Sequence, residues 1–345
     1  ANTTGDSNTA VGRQALKANT TGAINTAVGL VALAANTTGT RNVAVGASVL
    51  DANTTADDNT AIGYASLGAN TTGAANTAVG SYALDANTTG SHNTALGYGA
   101  MSATTTAGWC TAVGRDALAV HTTGADNTAV GYACMSKLTT GTNNVAMGNS
   151  ALANLTTTAG NTAIGKASLT ASVTGSYNTA LGYLALTACL DGGNNIAVGH
   201  NALAANTAGA DNVAVGAVAL DANTTGSRNT AIGYDSLSAN TTANNNTAVG
   251  DSALLLNTTG ASNVAIGNNS LDANTTASNN TGVGKDSLGS NTTGTENTAV
   301  GKDALAAVTT SSYNTAVGYN ALVVNTAADN TAVGRAALSN NTSGT

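Results

Sequence analysis

The sequence predicts an all-β fold, a parallel β-solenoid or β-roll of about twenty coils with 17 residues in each. Three observations lead to this prediction. One 17-residue unit recurs along the whole chain, β-branched residues recur at one position of that unit, and the chain has neither Pro nor Phe and only 8% charged residues. A short repeat outweighs chain length as evidence, because one unit buries little alone and must stack on its neighbours. Residues 1–345 are therefore interpreted as one repetitive fibre domain.

The repeat becomes visible when the first four units are aligned. Its consensus is A-N-T-T-G-x-x-N-T-A-V-G-x-x-A-L-x in Ala1–Lys17, Ala18–Ala34, Ala35–Asp51 and Ala52–Gly68, and repeat positions are numbered one to seventeen from Ala1. Position twelve is Gly in every unit. One residue is missing near 327–329, between the N-T and N-T-A-V-G segments, which predicts a surface loop there that tolerates a deletion.

Positions nine to twelve predict a short strand followed by a turn. Position nine is β-branched throughout, as in Thr9 and Val43, which favours extended backbone. Gly at position twelve adopts positive φ freely and suits a sharp reversal. Position eleven is aliphatic or Met and position sixteen is Leu or Met, so both are predicted to form the core. A second short extended stretch is expected at Ala15 and Leu16, which gives a flattened coil with two strands.

A helical repeat is the main structural alternative, since Ala and Leu favour helices. Thr, Asn and Gly oppose it, and each unit offers only about five residues between glycines, against about 10 to 12 in an ordinary helix. Parallel coils that stack about 4.8 Å apart would instead form a rod about 95 Å long.

Asn residues are expected to take structural roles in the stack. Position eight is Asn in every unit except where Cys110 replaces it, which predicts a hydrogen-bonded Asn ladder. The N-T-T segments, such as Asn19-Thr20-Thr21 and Asn223-Thr224-Thr225, match the N-glycosylation motif. Turn chemistry explains them adequately, and glycosylation requires passage through a eukaryotic secretory route.

Composition excludes several classes of protein. A formal net charge of −7, with only ten basic residues spread along the chain, argues against nucleic-acid binding. No run of 18 apolar residues occurs, so no membrane insertion is expected from this segment. The chain begins without a signal peptide and ends part-way through a unit, so we expect it to be a piece of a longer protein.

No catalytic, metal-binding or cofactor site is predicted. Three histidines occupy three different repeat positions and lie many coils apart: His92, His121 and His200. Four aspartates share position seventeen without lying in adjacent coils, and are expected to be solvated: Asp51, Asp85, Asp221 and Asp272. General acid–base chemistry needs such groups within hydrogen-bond reach of one another, so the chain is not expected to be an enzyme.

Three cysteines also occupy three different repeat positions: Cys110, Cys134 and Cys189. Side chains at different positions project in different directions. Substitution of small residues is therefore favoured over a disulfide or a shared metal site.

Exposed tyrosines are the candidate binding residues. Six of the nine tyrosines lie at position thirteen: Tyr64, Tyr98, Tyr132, Tyr183, Tyr234 and Tyr319. This position also accepts Arg, Lys, Asp, Asn and His, so it is predicted to face solvent. An exposed Tyr can stack on a sugar or dock a cell-surface receptor, although other residues interrupt the set from coil to coil.

The strand segments carry a family resemblance. Asn42–Gly46 and Asn59–Gly63 resemble the S-V-A-I-G signature of the head domains of trimeric autotransporter adhesins. Similar N-T-A-V-G-x-x-A-L arrays occur in phage and bacterial fibre proteins. The resemblance implies a left-handed β-roll, three chains packed side by side, and display at a cell or virion surface outside the cell. The adhesin head repeat is shorter than the 17 residues found here.

Two functions from different classes remain open at this level. The first is a structural or adhesive shaft of an extracellular surface fibre, assembled as a homo-oligomer, with a trimer favoured, or as a filament. Position nine interchanges Thr with Val and Ile, which predicts that one face of the strand meets another chain. The second is ice binding through regular Thr and Asn arrays, against which a quarter of the units replace Thr at position nine.

Overall fold

A computed structural model describes residues 2–342 as stacked β-coils. Each coil supplies one three-residue strand at positions nine to eleven, and the coils form two compact units, Ala1–Thr174 and Gly175–Thr345. The first unit contains β1 (Thr9–Val11), β2 (Thr26–Val28), β3 (Val43–Val45), β4 (Thr60–Ile62), β5 (Thr77–Val79), β6 (Thr94–Leu96), β7 (Thr111–Val113), β8 (Thr128–Val130), β9 (Val145–Met147) and β10 (Thr162–Ile164). The second unit contains β11 (Thr179–Leu181), β12 (Ile196–Val198), β13 (Val213–Val215), β14 (Thr230–Ile232), β15 (Thr247–Val249), β16 (Val264–Ile266), β17 (Thr281–Val283), β18 (Thr298–Val300), β19 (Thr315–Val317) and β20 (Thr331–Val333). The predicted β-solenoid is confirmed.

Consecutive strands within each unit pair in parallel and in repeat register. Thr9 pairs with Thr26, one 17-residue unit further on. The shortened unit near 327–329 keeps this register, because Thr315 pairs with Thr331. The loop therefore absorbs the missing residue without moving the strand. Within residues 2–342, no helix is long and apolar enough to cross a membrane.

Small side chains make up much of the core of each coil. In the inner coils, position ten, which is Ala in nearly every coil, is fully buried, as is position sixteen; Ala231 and Leu237 both have 0% exposure. Position fifteen, represented by Ser236, is also fully buried. Two small side chains, one Leu or Met, and Asn side chains at positions two and eight are thus buried in a typical inner coil. This explains why the chain needs so few large residues.

The prediction that position eleven lies in the core is wrong. Val45 and Ile62 are 36% and 39% exposed, whereas the Ala residues between positions nine and eleven are fully buried. Successive side chains of a strand point to opposite faces, so an inward position ten places positions nine and eleven outward together. The inward position ten is Ala or Gly in every coil, and the Leu or Met at position sixteen is buried in the same inner coils.

The prediction of a second extended stretch at Ala15 and Leu16 is also wrong, because each described coil has one strand. The backbone at positions fourteen and sixteen adopts positive φ, with values of 63° at Gln14 and 49° at Leu16. Position seven does the same, as at Ser7 with φ 54°. The turn glycine was correctly predicted, since Gly216 has φ 139°. A left-handed conformation at a large aliphatic residue costs free energy, and burial of the Leu16 side chain offsets it.

Two buried Asn ladders run along the coils. In the predicted ladder at position eight, Asn25 Nδ2 donates to the Gly39 carbonyl at 2.8 Å, and Asn25 Oδ1 accepts from the Asn42 backbone N–H at 3.0 Å. A second ladder, at position two, was not predicted. There Asn36 Nδ2 donates to Asn19 Oδ1 at 2.9 Å and to the same Gly39 carbonyl at 3.0 Å. The two ladders fix the loop from both sides.

Candidate binding surfaces

An uncharged strip follows the outer side of the strands, and we call it the strand face. It comprises the side chains at positions nine and eleven, and neither position carries a charged residue in any coil. Position eleven is prominent on it: Leu96 is 44% exposed and Met147 is 46% exposed. Position nine is mostly half-buried, although Ile196 reaches 42% exposure. Register stacking turns these side chains into two continuous columns along each unit.

The strand face of each unit is as large as the largest apolar patch on a typical monomeric protein. Ten coils spaced about 4.8 Å apart, each with a strand about 10 Å long, give a strip of about 480 Å² on each unit. The largest apolar patches on monomeric proteins are about 300 to 600 Å², and many of them are functional. The strip of one unit is thus more than half of the roughly 800 Å² that each partner contributes to a stable protein–protein interface.

The six tyrosines at position thirteen all lie at the surface, as predicted. Their exposed fractions range from 43% for Tyr319 to 56% for Tyr234. They are not equivalent, because three of them belong to one cluster in the first unit. The other three, Tyr183, Tyr234 and Tyr319, lie in the second unit with different neighbours.

The cluster in the first unit is an aromatic row of five residues on adjacent coils: Tyr64, Tyr82, Tyr98, Arg115 and Tyr132. The ring of Tyr82 makes edge contacts with Tyr64 and Tyr98, with centroids 5.3 and 5.9 Å apart. The Arg115 guanidinium lies over Tyr98 and Tyr132 at 5.8 and 6.0 Å from their centroids. Sequence reasoning missed the continuity of the row, because Tyr82 occupies position fourteen and Arg115 replaces a Tyr at position thirteen.

Smaller aromatic pairs occur elsewhere in the chain. His92 stacks on Trp109 with ring centroids 4.1 Å apart, and His200 stacks on Tyr183 at 5.6 Å. Tyr319 lies beneath the Lys302 ammonium at 5.7 Å. His92 and His200 therefore each contact an aromatic ring of the adjacent coil.

The ionisable groups in the described part of the chain do not assemble into a metal-binding cluster. Within residues 2–342, no three His, Cys, Asp or Glu side chains lie close enough together to hold a metal ion. The aspartates of position seventeen are half-buried rather than fully solvated, and burial raises the pKa of Asp51, Asp85, Asp221 and Asp272.

The three cysteines are free and buried. Only Cys134, at position fifteen, substitutes for a small residue as predicted, whereas Cys110 and Cys189 stand at positions where Asn recurs. Burial raises the pKa of Cys134 to about 12 and that of Cys189 to about 11. The Cys110 thiol, in the position-eight ladder, replaces an Asn amide and donates to the Gly124 carbonyl at 3.4 Å. Thiols held protonated in this way are poor nucleophiles.

His121 occupies the position-two ladder and is fully buried. Its Nε2 accepts from Asn127 Nδ2 at 3.3 Å, and its Nδ1 faces Thr104 Oγ1 at 3.5 Å. Removal from water disfavours the imidazolium and lowers the pKa of His121 to about 4. The residue is therefore a neutral member of the core rather than a general base.

Replacing His121 by Asn should remove a pH dependence of stability. The unfolded chain takes up a proton as pH falls through about 6.5, whereas folded His121 resists protonation until about pH 4. The wild type should therefore lose about 2 kcal/mol of unfolding free energy between pH 7 and pH 5. Asn is the usual residue at this position, so His121→Asn should lack that loss. Urea unfolding at both pH values measures the difference, and equal pH slopes for the two proteins would contradict it.

The N-T-T motifs are structural in the folded chain. The side chains of Asn19 and Asn223 are 1% and 0% exposed, and their amides donate within the position-two ladder. From Thr104 to Cys189, position two carries other residues, including Leu138 and Leu155. Folded coils therefore offer these Asn side chains no room for a glycan.

Comparison with known proteins gave no match. No family model matches the sequence, and no curated protein is significantly similar to it.

Proposed function

We propose that this chain is a structural or adhesive shaft segment of an extracellular surface fibre, in which copies pack side by side through the strand face. The observation that carries the proposal is the uncharged, outward strand face along every described coil. Resemblance of the repeat to adhesin heads and phage fibre arrays supports a surface setting and a homotrimer.

Charge distribution supports contact between copies rather than with water. The chain carries a formal net charge of −7, yet all of its charged residues lie outside positions nine and eleven. Each copy presents the same flat columns of methyl and hydroxyl groups at the same coil spacing. Two such surfaces match each other in period, and their association removes apolar area from water without burying a charge.

Sedimentation equilibrium at micromolar concentration tests the proposal. We expect the wild type to sediment at three times the 33.1 kDa of one chain. The double variant Ile232→Glu, Ile266→Glu places two carboxylates on the strand face, where both native side chains are 40% exposed. It should shift to the monomer mass, because burial of unpaired charges opposes association.

The matched control is Thr225→Glu, which adds a carboxylate at exposed position four, outside the strand face. It should sediment like the wild type. Circular dichroism should show the same fold for all three proteins. A monomeric wild type, or dissociation caused equally by Thr225→Glu, would show that the strand face does not hold copies together.

Ice binding is the second candidate, and one observation favours it. The Thr side chains of position nine form an outward column in parallel register, as in Thr230 paired with Thr247. The adjacent column varies in size from Val to Leu and Met, which disfavours a match to a regular lattice. Thermal hysteresis at sub-millimolar protein would place ice binding first, and its absence would remove this candidate.

A further inference from the structure

The aromatic row differs in chemistry from the rest of the surface. Tyr64, Tyr98 and Tyr132 are 52%, 53% and 50% exposed. Tyr82 and Arg115 join them into a continuous surface across five adjacent coils. We propose that this row is a binding site for a neutral, extended, β-1,4-linked glycan chain. The site does not depend on the assembly of the chain into a fibre.

Spacing is the first argument for this ligand. Tyr64, Tyr98 and Tyr132 share position thirteen on alternate coils, so they recur about every 9.6 Å along the stack. An extended β-1,4-linked chain turns each sugar over relative to its neighbour and presents the same ring face at every second sugar. That two-sugar repeat is close to the spacing of the three tyrosines. A helical α-1,4-linked glycan has no such linear repeat.

Contacts within the row give the second argument. Edge contacts with Tyr82 and the guanidinium of Arg115 restrict the tyrosine rings before any ligand binds, which reduces the entropy lost on binding. The exposed rings offer apolar surface to the C–H groups of a sugar, while the phenol and guanidinium groups offer hydrogen bonds to its hydroxyls.

Charge gives the third argument. Arg115 Nε donates to Asp116 Oδ2 at 3.1 Å, so the cation of the row already has a carboxylate partner. An acidic glycan would have to compete with Asp116 for the guanidinium. A neutral glycan needs only hydrogen bonds and ring contacts, which leave this ion pair intact.

Isothermal titration calorimetry on the full chain tests the site with three soluble probes: cellohexaose, chitohexaose and maltohexaose. The two β-1,4-linked probes should bind, and the α-1,4-linked maltohexaose should bind at least tenfold more weakly. Tyr98→Ala removes the central ring and should weaken binding of cellohexaose and chitohexaose at least tenfold. Tyr98→Phe keeps the ring and should bind within about threefold of the wild type.

The matched control is Tyr234→Ala. Tyr234 has the same repeat position and similar exposure, but its neighbours at position thirteen are Ala217 and Asp251. Its loss should change binding less than twofold. The double variant Ile232→Glu, Ile266→Glu should also bind normally, which separates this site from self-association. Absence of binding to both β-1,4-linked probes at millimolar concentration, equal binding of maltohexaose, or equal losses in Tyr98→Ala and Tyr234→Ala would overturn the proposal.

Discussion

Gly216→Ala should destabilise the second unit by about 3 kcal/mol or more. Gly216 has φ 139°, a backbone conformation that only Gly adopts without strain. A Cβ built there would lie 2.6 Å from the carbonyl carbon of Gly233 in the next coil, and closer still to its oxygen. The two coils would have to separate, so strand pairing between β13 and β14 would weaken as well.

The matched control is Gly226→Ala, at position five of the next coil. A Cβ there also approaches backbone, the Ala243 carbonyl oxygen, but φ is not positive and the chain itself carries Ala at this position, as in Ala243 and Ala277. Its cost should be within about 1 kcal/mol, because Ala adopts this backbone without strain and other coils already carry it. The midpoint of urea unfolding, at unchanged denaturant dependence, measures both variants. Equal midpoint shifts would show that crowding alone, and not the φ of position twelve, makes Gly necessary.

Periodicity was sufficient to predict the solenoid from sequence. The 17-residue repeat, the β-branched position nine and the turn glycine each correspond to a physical requirement of stacked coils, and each was confirmed. The Asn ladder at position eight followed from the same reasoning, since an Asn that recurs in every coil can bond to its copy in the next. Loop placement near 327–329 also followed, because a one-residue deletion inside a strand would reverse its faces.

Side-chain direction could not be read from the same pattern. An alternating N-T-A-V segment has two possible inward faces, and we assigned the more apolar face, with position eleven, to the interior. The structure buries the Ala instead and turns position eleven outward, while the Leu at position sixteen, whose backbone is left-handed, lies inside the coil. No composition rule signals positive φ at Leu, so the preference of this coil for it was not predictable.

The candidate binding residues were also predicted only in part. Exposure of position thirteen followed from its mixed residue types, and the six tyrosines were correctly placed at the surface. Their grouping was missed, because Tyr82 and Arg115 complete the row from different sequence contexts. A search for aromatic or basic residues at positions thirteen and fourteen of adjacent coils would have found the row.

Asn212→Leu should lower the unfolding free energy of the second unit by at least about 1 kcal/mol more than Asn223→Leu. Both side chains are fully buried, and both amides donate to the Gly226 carbonyl at 2.9 Å. Either substitution therefore leaves that carbonyl one donor, and both replace an amide with the same larger apolar group. Urea unfolding midpoints of the two variants measure the comparison directly.

The expected difference in stability arises from the donor that bonds to the side-chain oxygen of each Asn. Asn212 Oδ1 accepts from the backbone N–H of Asn229 at 3.0 Å, whereas Asn223 Oδ1 accepts from the side chain of Asn240 at 2.9 Å. Loss of the first acceptor leaves a buried main-chain donor that cannot move, which costs about 1 to 3 kcal/mol. Loss of the second leaves a side-chain amide that still donates to the Ala243 carbonyl. Two native coils carry Leu at position two, namely Leu138 and Leu155, whereas position eight is always Asn or Cys. Both observations fit this ranking. Equal destabilisation by the two substitutions would show that the backbone acceptor is not the reason for that restriction.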